Sequence, residues 1–107
     1  MSASNRRDAA NRKRIMTDEQ IKFLKSFDFM RLGHAIEAGN WQAVAMATRR
    51  MALSAKNCEL NEFERWFTGI RQCAMSHNRQ EALSLMVLVT NKRVKYLNSL
   101  SQTDETR

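Results

Sequence analysis

The chain has 107 residues, no proline, three glycines, two cysteines and a formal net charge of +7. This length suits one domain, and residues that favour helices dominate, so we expect an all-α fold. The cysteine spacing does not fit a zinc site, and no apolar run reaches the ~20 residues of a membrane span. We therefore expect no metal, no cofactor and no membrane insertion. Two thiols without a secretory signal predict a cytoplasmic protein.

The positive charge is concentrated near the N-terminus. Residues 1–16 hold five cations against one acid, a net +4, and residues 17–107 hold the remaining +3. We predict a disordered basic arm over 1–16, a single helical bundle domain over 17–100 and a polar tail over 101–107. Such an arm can attract nucleic acid, although a solvated leader is the plainer interpretation.

Two short helices are predicted before residue 40. Thr17 begins the sequence TDEQ, which is a capping box with Gln20 as its reciprocal partner. Asp28 is predicted to cap the second helix and Gly39 to end it. Whether the two are one kinked helix is left open. The inward positions are predicted to be Ile21, Leu24, Phe27, Phe29, Leu32 and Ile36.

A longer helix is predicted from Asn40, its cap, to Asn57. Residues spaced three and four apart form a stripe that we expect to be buried. That stripe consists of Trp41, Val44, Ala45, Thr48, Met51, Ala52 and Ala55. The opposite side combines apolar bulk with positive charge, and we call it the docking face. It consists of Met46, Arg49, Arg50, Leu53 and Lys56.

Two further helices complete the pattern. Asn61 is predicted to cap the first, and Asn78 begins NRQE, a second capping box, before a helix from Arg79 to about Leu100. The first has apolar positions at Phe63, Trp66, Phe67, Ile70, Cys73 or Ala74, and His77. The second has a stripe at Ala82, Leu85, Met86, Val89, Arg93, Tyr96 and Leu100, widened by Leu83, Val87, Val94 and Leu97. This broad apolar surface leaves homodimerisation open. Short connections predict an antiparallel four-helix bundle with a short N-terminal helix.

The pattern from Phe29 to Leu97 resembles the histidine-containing phosphotransfer (Hpt) domain of two-component phosphorelays. The stretch Thr48-Arg49-Arg50-Met51-Ala52-Leu53-Ser54-Ala55 matches the family's phosphoacceptor motif in its packing positions. Its chemical positions differ. Arg49 replaces the histidine, Ala52 the lysine three residues later, and Leu53 the glycine that gives a partner room. Arginine stays protonated and is not a nucleophile. The resemblance therefore implies the fold and docking to a receiver domain or histidine kinase, without phosphoryl transfer at Arg49.

The remaining candidate groups give weaker signals. His34 and His77 are alternative phosphoacceptors, although each also suits an ordinary role, His77 as a cation at a helix C-terminus. No arrangement of serine, histidine and acid predicts an enzyme. We therefore expect a non-enzymatic interaction module of the Hpt type. Two alternatives stay open: a genuine histidine phosphotransfer protein that uses His34 or His77, and a small basic protein that binds nucleic acid.

Overall fold

The computed structural model describes the backbone of residues 16–105 and the side chains of residues 16–100. Within that range all regular structure is helical, which confirms the all-α prediction. The five helices are α1 (Asp18–Leu24), α2 (Asp28–Ala38), α3 (Trp41–Asn57), α4 (Asn61–Ser76) and α5 (Arg79–Glu105). Helix α5 thus continues beyond its predicted end at Leu100. Apart from Met16, the predicted basic arm lies outside the described residues.

Helices α2 to α5 form a closed bundle in which each helix packs against two of the others, and α1 lies against α3 and α5. Contacts between opposite helix ends show that neighbours run antiparallel. Trp41 at the start of α3 stacks on His77 just after α4, with ring centroids 5.8 Å apart. Glu62, near the start of α4, forms an ion pair at 3.2 Å with Lys92, at the midpoint of the longer helix α5. The predicted bundle is confirmed.

Local capping explains most of the helix boundaries. Thr17 and Gln20 form both hydrogen bonds of the predicted capping box. Gly39 ends α2 in the left-handed conformation, with φ of 71°. The Asn40 side chain accepts a bond from the Ala43 N–H at 3.3 Å, and Asn78 accepts one from the Glu81 N–H at 3.1 Å. These four signals are short-range, so the sequence was sufficient to find them.

The predictions for Asp28, Asn61 and Phe27 were wrong. Asp28 and Asn61 are the first residues of their helices, and neither Phe27 nor Leu60 supplies a side-chain cap. The Ser26 hydroxyl instead accepts a hydrogen bond from the Asp28 N–H at 3.0 Å. Asp28 instead forms an ion pair with Arg50 of α3 at 3.6 Å. Phe27 is 72% exposed because the chain turns between α1 and α2, which are two separate helices.

Aromatic rings from three helices meet at the centre of the bundle. The centroid distances among the rings lie between 5.2 and 6.3 Å. The rings are those of Phe23, Phe29, Phe63 and Phe67. The one polar residue described as fully buried, Thr48, donates its hydroxyl to the Val44 carbonyl at 2.8 Å, so its burial leaves no unpaired group. The apolar positions of the five helices therefore form one continuous core.

The connection between α3 and α4 contains a residue under backbone strain. Glu59 is exposed and has φ of 63°, a conformation that costs a residue with a side chain about 1–2 kcal/mol. We expect Glu59→Gly to raise the free energy of unfolding by about 0.5–1 kcal/mol, because part of the gain is offset by the flexibility of glycine in the unfolded chain. Urea denaturation followed by circular dichroism measures this change. Arg71→Gly, at an exposed position inside α4, is the control and should destabilise the protein by about 1 kcal/mol.

Candidate functional site

The docking face lies on the solvent side of α3. The opposite side of this helix is buried through Val44, Thr48, Met51 and Ala55. All five docking-face residues are exposed, and the two apolar ones remain largely in solvent, Met46 at 63% and Leu53 at 59%. Large apolar side chains exposed on one stripe are typical of surfaces that bind a protein. Met46 and Leu53 lie two helical turns apart, with Arg49 and Arg50 between them and Lys56 beyond Leu53.

The charge of this surface has one sign. No acidic residue occurs within α3, from Trp41 to Asn57. Among the described residues, Arg49 and Lys56 have no ion-pair partner, whereas Arg50 contacts Asp28 at 3.6 Å. That pair is partly exposed and contributes at most about 1 kcal/mol, so Arg50 can exchange Asp28 for another carboxylate. The docking face therefore presents two unpaired cations and one weakly paired cation.

The positions that match the Hpt phosphoacceptor motif differ in their exposure. Arg49, which stands where the family has its histidine, is exposed, as is Leu53, which stands in place of the glycine. Ala52, in place of the lysine, is half-buried and packs against the core. The exposed position thus offers a guanidinium group, which binds carboxylates or phosphates through paired hydrogen bonds but does not form a phosphoramidate.

His34 lies away from the docking face, in a groove between α2 and α5. The groove encloses about 470 Å³, and His34 lines it together with Gly33, Lys25 and Arg93. Glu37 lines the same groove. No short-range signal indicated that Arg93 would lie beside the histidine, because α5 is distant in the chain. Arg93 is already engaged: its Nε donates to the Leu24 carbonyl at 2.6 Å, and its guanidinium lies 4.8 Å from the Phe29 ring centroid.

His77 lies at the C-terminus of α4, as predicted, but the prediction that it continues the apolar stripe of that helix was wrong. It follows the end of α4 with φ of 55°, is exposed, and stacks on Trp41. The reversal of the chain before α5 requires a left-handed residue there, which takes the side chain off the helical stripe. The structure therefore places His34 and His77 at two separate sites, and neither belongs to the docking face.

The thiols and acids of the described residues form no evident catalytic site. Burial raises the pKa of the Cys58 thiol and of the Cys73 thiol, so both stay protonated at neutral pH and are poor nucleophiles. Cys58 and Ser54 line a cleft of about 360 Å³ beside the docking face, but no histidine lines it. Within the described part of the chain, no three metal-ligating side chains come together.

Two further observations bear on what the chain is. Within residues 16–105, no helix combines the length and the apolar character that crossing a lipid bilayer requires. The sequence matches no protein-family model, no curated protein and no solved structure. The resemblance to Hpt domains accordingly rests on the residues from Phe29 to Leu97 themselves.

Proposed function

We propose that the protein is a non-enzymatic interaction module that binds an acidic surface of a signalling protein, a receiver domain or a histidine kinase, through the docking face. The observation that carries this proposal is the exposed stripe on α3, where Met46 and Leu53 alternate with cations and no acid is present. Apolar side chains supply contact area at such a surface, and the cations supply steering and orientation.

A receiver domain fits the chemistry of this stripe. The resemblance to Hpt domains implies a partner whose phosphorylation pocket is lined with carboxylates. The Arg49 guanidinium can bind one carboxylate through two parallel hydrogen bonds, and Leu53 can contact the apolar rim of the pocket. Because no nucleophile stands at this position, binding would block the pocket or hold the partner in place. The mechanism is competition or scaffolding.

The same stripe suits a protein partner better than nucleic acid. Binding to phosphates requires cations but gives no role to exposed Met46 and Leu53. Binding to single strands uses exposed aromatic rings, whereas Trp41, Trp66 and Tyr96 are half-buried and pack against the core. The exposed ring of Phe27 lies between α1 and α2 and is not part of the docking face. The nucleic-acid hypothesis depends on residues 1–16, almost all of which lie outside the described residues.

Charge reversal at Arg49 tests the proposal. We expect Arg49→Glu to weaken binding to a purified receiver domain by at least about tenfold, because a carboxylate would then face carboxylates. The melting temperature should stay within about 2 °C, since the side chain is exposed and unpaired in the described residues. Isothermal titration against a panel of receiver domains measures the change.

Arg71→Glu is the matched control, because Arg71 is exposed on α4, outside the docking face. It should leave the affinity unchanged. Equal affinities for the wild type and Arg49→Glu would count against the docking face. A phosphorylated receiver should transfer no acid-labile label to the chain. Transfer that disappears in His34→Gln or His77→Gln would instead show a genuine phosphotransfer protein.

A further inference from the structure

Helix α5 carries a second apolar stripe that the bundle covers only at its two ends, where Leu83 and Leu97 are half-buried and pack against the core. The side of α5 that enters the core includes Ala82 and Val89, both fully buried. On another side, residues alternately four and three apart form a stripe that we call the α5 seam. The α5 seam consists of Leu83, Val87, Thr90, Val94 and Leu97. Val87 is 57% exposed and Val94 44% exposed, so the centre of the stripe faces solvent.

The seam borders the groove between α2 and α5. Leu83, Val87 and Thr90 line one wall of this groove. On the α2 side, Phe27 and Met30 line it, and they are 72% and 59% exposed. Between the walls lies Gly33, where an added Cβ would meet no atom within 4 Å. The groove is therefore open at Gly33, and it combines apolar side chains on both walls with the charged groups of Lys25, Glu37 and Arg93. Such a lining can take side chains from one face of an amphipathic helix.

We propose that a second copy of this chain occupies the groove, so that the protein forms a two-fold symmetric dimer. The two α5 helices pack seam against seam, and each enters the groove between α2 and α5 of the other copy. Symmetry lets one surface serve both partners, because every seam residue then faces a seam residue of the other copy.

The order of residues in the seam favours a second copy over a foreign helix. A spacing of four and three residues is the heptad repeat of coiled coils. Val87 and Val94 fall on one core position of the heptad, and Leu83 and Leu97 fall on the other. β-Branched residues at the first position with leucine at the second favour two-stranded parallel coiled coils. Thr90 also falls on the leucine position, where its hydroxyl can form a hydrogen bond with Thr90 of the second copy.

The charge of the chain opposes self-association, and the seam is where this repulsion is least. The net charge is +7, so two copies repel each other, but the seam is a stripe of uncharged residues. Arg93 lines the groove, where its Nε is held by the Leu24 carbonyl at 2.6 Å, and the carboxylate of Glu37 lines the same groove. Lys92 is paired with Glu62 at 3.2 Å. Two seams can therefore meet with no charged side chain on either seam.

The size of the contact requires the groove as well as the seam. From Leu83 to Leu97 a helix rises about 21 Å, which is short for an isolated coiled coil. A stable protein interface buries about 1,200–2,000 Å² in total. The exposed Phe27 and Met30 widen the contact on both sides of the symmetry axis. We therefore expect a dimer that needs α2 as well as α5.

Sedimentation equilibrium on the full chain, from about 1 to 300 µM, tests the proposal. The wild type should approach twice its mass of 12.4 kDa as concentration rises. The double variant Val87→Lys/Val94→Lys should stay at 12.4 kDa with unchanged helix content by circular dichroism. Met75→Lys is the matched control, because Met75 is 76% exposed on α4, away from the seam, and this variant should dimerise like the wild type.

Gly33→Leu provides a second test that does not depend on introducing charge. Leucine fits the open groove of one copy and favours the helix more than glycine does, so the fold should be retained. The added bulk should weaken the dimer by at least about tenfold. A wild-type chain that stays at the mass of one copy at every concentration overturns the proposal. It does so even if a helix from another protein is found to bind the groove. Dimers that persist in the double variant also overturn it.

Discussion

Phe63→Ala is expected to lower the free energy of unfolding by about 3–5 kcal/mol, the largest loss predicted for this chain. The Phe63 side chain is 1% exposed and lies where α1, α4 and α5 meet. Its ring centroid is 6.0 Å from that of Phe23 and 6.1 Å from that of Tyr96. Truncation removes these contacts and leaves a cavity that rigid helices cannot close. A loss of this size is a large fraction of a typical domain's stability.

Urea denaturation, followed by circular dichroism at one fixed protein concentration, measures this loss. Met75→Ala is the control because Met75 is 76% exposed, and it should change the free energy of unfolding by less than about 0.5 kcal/mol. Similar midpoints for the two variants would show that the aromatic cluster does not hold the bundle together. The placement of Phe63 in the core would then be incorrect.

Arg93→Ala is expected to cost about 2–3 kcal/mol, which is unusual for a residue that is only half-buried. The Arg93 Nε donates to the Leu24 carbonyl at 2.6 Å, and this bond fastens α5 to the end of α1. The guanidinium also lies 4.8 Å from the Phe29 ring centroid, a favourable contact of about 0.5–1 kcal/mol. Alanine leaves the Leu24 carbonyl without this donor and uncovers the ring.

Two control variants separate these contributions. Arg93→Lys keeps the charge but lacks the Nε donor, so we expect about half of the loss. Lys95→Ala removes an exposed cation two residues later on α5 and should leave stability within about 0.5 kcal/mol of the wild type. Thermal unfolding monitored by circular dichroism ranks the three. If the Arg93→Ala protein were as stable as the Lys95→Ala protein, the Arg93 side chain would not contribute to holding α5 against α1.

Much of the fold follows from short-range signals. The capping box at Thr17, the left-handed Gly39 and the cap at Asn40 mark helix ends because each bond joins residues only a few positions apart. Apolar residues three and four apart predict which side of each helix is buried, as at Val44 and Phe63. The same period exposes the docking face, since a helix that buries one side must show the other. The helical period does not identify the binding partner, because the shape and charge of one surface only partly define the protein that binds it.

The sequence by itself therefore determined the helices, their order and the buried stripe of α3, since all of these depend on neighbours along the chain. Tertiary structure decided the rest. It paired Asp28 with Arg50, turned Arg93 inward onto Leu24, and left Phe27 in solvent. It also decided which of the two apolar stripes of α5 enters the core and which borders the groove. These outcomes depend on residues distant in the chain that meet only when the helices pack, and helical periodicity carries no information about that meeting.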